Sequence, residues 1–322
     1  MLRSFHPPCI GASAVRLQGG LSWRVAEIRV FDPDDAETVA ELLVPLLPTT
    51  VQTAESLRWR QTGEPPRTRR RSWVAEAGGK VVGFATAQME WWSAEAGKGR
   101  VWAGVRKDLR RQGIGTALFE AAASHLSDAA KHTVEVDDDP AGLAFVERRG
   151  FQQYDSEVIF RLDPLECTLE PKPLEGFVLV TLGEMLDREA ELFAFYSEAG
   201  GISNPGLTLE DWSAAVLGNP MLDHDLGVVV LQDDRVVSLS WLLVDPERRR
   251  AENEWTATLP ELRGRGLAQL AKIASIRKAK AAGIREIVTG SLPNNLPMIE
   301  VNRRLGYREL YIRKDLERRI EE

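Results

Sequence analysis

The sequence predicts an α/β chain built as two domains of one plan. Three observations carry that reading: the length, a Gly- and Arg-rich turn that leads into a helix twice, and the same order of strands and helices around each copy. At 322 residues the chain exceeds the usual reach of one hydrophobic core, so two domains of about 150 residues are expected. The turn is written as "LRRQGIGTALFEAAASHL" from Leu109 and as "LRGRGLAQLAKIASIRKAK" from Leu262. Arg110 and Arg263 stand 153 residues apart, and Gly150 and Gly306, further along each half, stand 156 apart. So constant an offset marks a duplicated domain.

Each half opens with a strand and then a helix. "DPDDAETVAELLVPLL" and "TLGEMLDREAELFAFY" both combine an N-cap candidate, early acidic residues and helical apolar spacing. A hairpin follows. In the first half it spans Trp73 to Glu76 and Val81 to Met89 around Gly78 and Gly79; in the second, Gly227 to Leu231 and Val236 to Val244 around Asp233 and Asp234. One more strand, "RVWAGV" or "NEWTATL", leads into the turn and its helix. Behind the helix come a further strand, "HTVEV" or "REIVTG", a short helix, and "RRGF" or "RRLGY". Three prolines in "LDPLECTLEPKPLEG" interrupt any regular element and place the join there. The chain divides into a loose extension (1–23), an N-terminal domain (24–163), a linker (164–175) and a C-terminal domain (176–322).

Composition narrows the function. No stretch approaches the roughly 20 apolar residues needed to cross a bilayer, so no membrane partner is expected. Cys9 and Cys167 are the two cysteines, without metal-ligand or disulfide-framework spacing, which points to a reducing cytoplasm and to no metal. The net charge of −7 argues against a nucleic-acid partner, because phosphate binding needs clustered positive charge. After Asp163 the chain carries 26 acidic against 20 basic residues, which suits either a solvated acidic surface or a pocket for a cationic amine. The run Arg67 to Arg71 reads as a solvated loop or as an anion or nucleic-acid patch.

A strand, a turn with two closely spaced small residues and a helix together form a phosphate cradle. Small residues let backbone approach, and the first helical N–H groups lack internal partners at the positive end of the dipole. Gly113 and Gly115 serve this in the first turn, Gly266 and Ala268 in the second, with Arg110, Arg111, Arg263 and Arg265 adding charge. No Lys-Ser or Lys-Thr pair follows the last Gly, unlike an ATP or GTP loop, and the spacing is too short for a dinucleotide fingerprint.

"RRQGIG" and "RGRGLA", each following the fourth strand of its half, resemble the acyl-CoA loop of GNAT-type N-acetyltransferases, and the chain from about 24 to 316 resembles the tandem GNAT proteins. The resemblance implies two tandem GNAT domains, each a mixed, mostly antiparallel twisted sheet flanked by helices. It implies acetyl-CoA as acyl donor, held by Arg110, Arg111, Gln112, Gly113, Ile114, Gly115 and Thr116 in one half. In the other, Arg263, Gly264, Arg265, Gly266, Leu267 and Ala268 would hold it. Backbone at Ala103 and Val105, or at Thr256 and Thr258, would pair with the pantetheine arm. The family's second motif, Asn-x-x-Ala-x-x-x-Tyr-x-x-x-Gly-Phe, places Asn295 at its Asn and Asn302 at its Tyr in "NLPMIEVNRRLGY". "DPAGLAFVERRGF" places Asp139 and Val146 there. Neither half keeps the Tyr, which in the family protonates the leaving thiolate.

Amine acetylation needs a base beside the reacting nitrogen. "AENEWTATL" carries Glu252 and Glu254, on one face because strand side chains alternate, whereas "GKGRVWAGV" carries no carboxylate and leaves only Glu90 on the previous strand. The expectation is therefore an acyl-CoA-dependent N-acyltransferase, most simply an N-acetyltransferase, whose C-terminal domain is catalytic through Glu254 and Asn302. Its acceptor would be a small-molecule or protein amine. A non-catalytic acyl-CoA-binding or sensing protein and a nucleotide-holding protein are the alternatives. Solvation is the plain alternative for Glu252 and Glu254. Trp91, Trp92, Trp241 and Trp255 read as core residues or as walls of a substrate slot. None of the four histidines matches a motif position, and the oligomeric state is open.

Overall fold

The computed structural model describes residues 13–17, 24–200, 204 and 206–320. The first half runs β1 (Ser13–Leu17), β2 (Arg24–Val30), α1 (Ala36–Leu43), α2 (Ala54–Thr62), β3 (Arg71–Ala77), β4 (Lys80–Met89), β5 (Lys98–Val105), α3 (Ile114–His125), β6 (Lys131–Val136), α4 (Pro140–Glu147) and β7 (Gln152–Leu162). The second runs β8 (Val178–Thr181), α5 (Glu189–Glu198), α6 (Leu209–Trp212), β9 (Val228–Gln232), β10 (Arg235–Asp245), β11 (Arg250–Thr258), α7 (Leu267–Ala281), β12 (Glu286–Ser291), α8 (Leu296–Arg304) and β13 (Arg308–Arg319). Residues 163–177, around the expected join, form neither helix nor strand.

The expected loose extension contains a strand: β1 pairs antiparallel with β2, Ser13 opposite Ile28 and Leu17 opposite Arg24. It covers an edge whose backbone groups need partners, which is why a short segment orders there. The rest of that extension, with Cys9, lies outside the described residues.

All thirteen strands form one sheet in the order β1-β2-β3-β4-β5-β6-β13-β7-β12-β11-β10-β9-β8. Apart from β1 the order is a palindrome about the β13–β7 pair. The β5–β6 and β11–β12 pairs are parallel and every other pair is antiparallel. The halves exchange their last strands. β7, from the first half, pairs with β12, while β13, from the second, enters beside β6.

Helices cover both faces. On β3 and β4, Trp73, Ala75 and Ala85 pack against Leu118 and Ala122 of α3, while Val74 and Phe84 pack against Val39 and Leu43 of α1, following the alternation of a strand. In the second half, Leu242 and Val244 meet Ile273 and Ile276 of α7, and Trp241 and Leu243 meet Leu192 and Phe195 of α5. α3 and α7 thus lie on one face, α1 and α5 on the other.

Candidate active site

The two parallel pairs are short. β5 accompanies β6 only from Lys98 to Arg100, and β11 accompanies β12 only from Arg250 to Glu252. Beyond these points the strands part and leave a wedge in each half. Ala103 and Val105 lie along the first wedge and Thr256 and Thr258 along the second, as the resemblance implies for backbone that receives a pantetheine arm.

The two turns agree down to their backbone angles. Gly113 (φ 84°) and Gly266 (φ 82°) are the N-caps of α3 and α7, and Arg111 (φ 66°) and Gly264 (φ 76°) precede them in the same left-handed region. Arg110 Nε donates to the Val105 carbonyl at 3.3 Å and Arg263 Nε to the Thr258 carbonyl at 3.2 Å. Ile114 and Leu267 anchor each turn in the core, and Gly115 and Ala268 are half-buried behind them. Glycine N-caps have no side chain to cap either helix, so the first amides are left for an anion.

Their surroundings differ. Arg110 is ion-paired at 2.9 Å with Asp139, the N-cap of α4. Thr116 accepts a 2.9 Å bond from Arg149, whose guanidinium stacks on Phe145. Gln112 is half-exposed beside them. In the second turn Arg263, Gly264, Arg265 and Gly266 are all exposed, and among the described residues Arg263 also reaches the Ala199 carbonyl at 3.3 Å. Neutral Asn295 replaces Asp139 and caps α8 through the Met298 N–H at 3.3 Å. A carboxylate therefore sits on the first cradle, where a phosphate would be repelled, and an amide beside the second.

The roots of the wedges differ as well. In the first, Arg100 on β5 is ion-paired across the gap with Glu135 on β6 and, at 3.3 Å, with Glu90, while the Thr133 hydroxyl donates to Glu90 at 2.5 Å. This wedge is strapped. In the second, Trp241 faces Trp255 and Leu243 faces Glu252, so Leu242 alone opposes Asn253 and Glu254. That extra residue is a β-bulge, which re-aims side chains at the point where strands part.

Glu254 occupies the bulge. Its carboxylate accepts a 2.7 Å bond from the indole N–H of Trp241 and is open to the water of a cavity, while protein encloses it on the remaining sides. That enclosure raises its pKa above the ordinary carboxylate value, with the Trp241 bond and the charge of Arg60 acting the other way. Glu252 lines the same cavity and accepts the Val51 N–H at 3.1 Å; burial pushes its pKa up to about 7. Asn302 is fully buried: its side-chain N–H donates to Ser291 at the end of β12 (3.1 Å) and its Oδ1 has no partner.

The cavity measures about 530 Å³ and lies over the central strands, between α1–α2 on one side and α5 with residues 215–222 on the other. Both halves line it. Trp91 and Trp92 belong to its wall, whereas Trp241 is fully buried and Trp255 is half-buried against Tyr196, ring centroids 4.2 Å apart. Tyr196 brings a phenol to the cavity, and burial and the charge of Glu254 raise its pKa. Glu157, Arg313 and Arg60 also line it, and sequence reasoning missed all three, since they come from the exchanged strands and from α2. Within the Arg67–Arg71 run, Arg67 is ion-paired with Asp211 of the other half, Arg69 with Asp128 and buried Arg70 with Glu64. No group of three or more potential metal ligands occurs among the described residues, and no helix among them is long and apolar enough to cross a membrane.

A parted parallel strand pair above an uncapped helix N-terminus, present twice in one sheet, defines a duplicated acyltransferase-type fold. Residues 68–153 match the model described as Acetyltransferase (GNAT) domain, and residues 190–307 match the model described as Acetyltransferase (GNAT) family. The chain belongs to the GNAT acetyltransferases, as a tandem member with two such domains. Among solved structures it is similar to a tandem GNAT protein from the clavulanic acid biosynthesis pathway (22% identity, TM-score 0.72, covering 92% of this chain and 99% of that one). It is also similar to a GCN5-related N-acetyltransferase from Sphaerobacter thermophilus (18% identity, TM-score 0.70, covering 92% and 96%). No curated protein sequence matches it significantly.

Proposed function

We propose that the protein is an acetyl-CoA-dependent N-acetyltransferase in which the C-terminal half carries the reaction and the N-terminal half is chiefly a scaffold. The observation that carries this reading is the asymmetry of the two wedges. The second has an open cradle, a neutral Asn295 and a carboxylate at a bulge, whereas the first has Asp139 on its cradle and an ion pair strapping its root.

In this reading the exposed turn Arg263–Gly266, with Leu267 and Ala268, holds the CoA phosphates, and backbone at Thr256 and Thr258 holds the pantetheine arm. The acceptor amine enters from the cavity. Its nitrogen attacks the thioester carbonyl, a C–N bond forms as the C–S bond breaks, and Glu254 takes the proton that the nitrogen sheds. Backbone N–H groups of β11 stabilise the carbonyl oxygen as it gains charge. Asn302, through Ser291, supplies the hydrogen bond that the missing Tyr would give the departing thiolate.

The test compares Arg263→Ala with Arg110→Ala for acetyl-CoA binding and for amine-dependent thiol release. Loss of both activities in Arg263→Ala with Arg110→Ala near wild type is expected. The opposite pattern would reverse the division of labour. Tight acetyl-CoA binding without thiol release on any amine would make the chain a non-catalytic acyl-CoA-binding protein, the reading that the missing Tyr favours.

A further inference from the structure

The cavity is a joint product of the strand exchange. β7 carries Glu157 out of the first half and lays it against β12 of the second, where Ile159 pairs with Gly290. Gly290 leaves the space that the Glu157 carboxyl fills, since a Cβ there would collide with that carboxyl. Glu157 thereby reaches the face of the sheet that carries Glu252, which pairs with Val288 two residues before Gly290, and with Glu252 and Glu254 it lines the cavity; the charge of Glu252 bears on it.

The charges in this cavity do not balance. Six carboxyls and four guanidiniums line it among the described residues. Arg70 is paired with Glu64, Arg100 with Glu135, and Arg313 with Asp137 at 2.7 Å. Arg313 reaches Glu157 only at 3.5 Å, and Arg60, whose Nε has no partner, faces the rest. Three carboxyls thus share one unassigned guanidinium. Burial raises the pKa of Glu157 to about 7, as it does that of Glu252, so both are ready to become fully charged once a cation arrives. A separate feature points the same way. Gln88 is 7% exposed, lines the cavity and has a side-chain oxygen with no donor, so it lacks an N–H. Trp59, Trp91, Trp92 and Trp102 also line the cavity, and the Trp92 ring already carries a cation, the Arg100 guanidinium 4.9 Å from its centroid.

We propose that the acceptor is a compact diamine or polyamine: one nitrogen is presented to Glu254, and a second, as ammonium, is seated between Glu157 and Glu252. This rests on the acetyltransferase reading for the role of the first nitrogen, but not for the second. Glu157 is then a specificity residue that one half lends to the chemistry of the other.

The test is a calorimetric titration without acetyl-CoA, using 1,4-diaminobutane, n-butylamine and 1,4-butanediol. The diamine is expected to bind at least about tenfold more tightly than the monoamine, the diol not at all, and Glu157→Gln to lower diamine affinity by about tenfold. Equal binding of diamine and monoamine by the wild-type protein would overturn the proposal even if the variant failed to fold, and so would an unchanged preference in a folded Glu157→Gln. Diamine binding without acetyl transfer would sink the enzymatic reading and leave this one. Acetyl transfer to monoamines with no diamine preference would do the reverse.

Discussion

Glu254 shows how one bond can set the working pH of a site. A carboxylate accepts a proton from an amine only when ionised, so the rate falls as pH drops through its pKa. Enclosure raises that pKa, and the indole N–H of Trp241 at 2.7 Å favours the charged form and holds the rise down. Removing the donor must therefore raise the pKa further. Trp241→Phe is expected to move the acid limb of the kcat/KM profile to higher pH, while Glu254→Gln lowers kcat by roughly 10²–10⁴ above that limb and by less below it, where the wild-type carboxyl is already protonated. A limb that stays in place in Trp241→Phe would show that another group is titrating. The sequence offered Glu254 as base or as solvated strand residue, and periodicity alone could not decide, because the bulge that turns it into the cavity leaves no mark in the pattern of "AENEWTATL".

At the scale of elements, the duplication was legible because it repeats in sequence: the hairpins, the turn and the helix behind it all lie where the 153-residue offset puts them. The strand exchange was not legible. β7 and β13 keep the same order along the chain whichever sheet edge they join, so Glu157 in "QQYDSEVIF" gave no sign of its place beside Gly290. The matched turns also hold an internal comparison. Arg111 at φ 66° and Gly264 at φ 76° occupy one position, and a left-handed conformation costs an L-residue roughly 1–2 kcal/mol, offset in part by the about 0.5–1 kcal/mol that Gly loses in chain entropy. Arg111→Gly should thus stabilise the protein slightly, by up to about 1 kcal/mol, and Gly264→Ala should destabilise it. Thermal melts of the two variants check this, and a lower Tm for Arg111→Gly would refute the strain argument.

For the molecule as a whole, the exchange makes two domains mechanically one. Where domains are merely tethered, their contact is small and they move and unfold separately. Here β13 is hydrogen-bonded along both sides, to β6 of the other half from Arg319 to Lys314 and to β7 from Arg308 to Glu317, and β7 in turn to β12. Separating the halves would strip partners from the edges of β6, β7, β12 and β13 together, and unpaired buried backbone groups are costly. The covalent join, by contrast, is an irregular segment over 163–177 that carries no sheet pairing. Cutting the chain at a protease site inserted between Pro171 and Pro173 should leave both fragments co-eluting in gel filtration at the size of the intact protein. Intact protein should also unfold in a single calorimetric transition whose van't Hoff and calorimetric enthalpies agree. Fragments that drift apart without denaturant would mean that the linker, not the exchanged strands, holds the cavity's two walls in place, and that Glu157 could not be delivered reliably to the site it is proposed to serve.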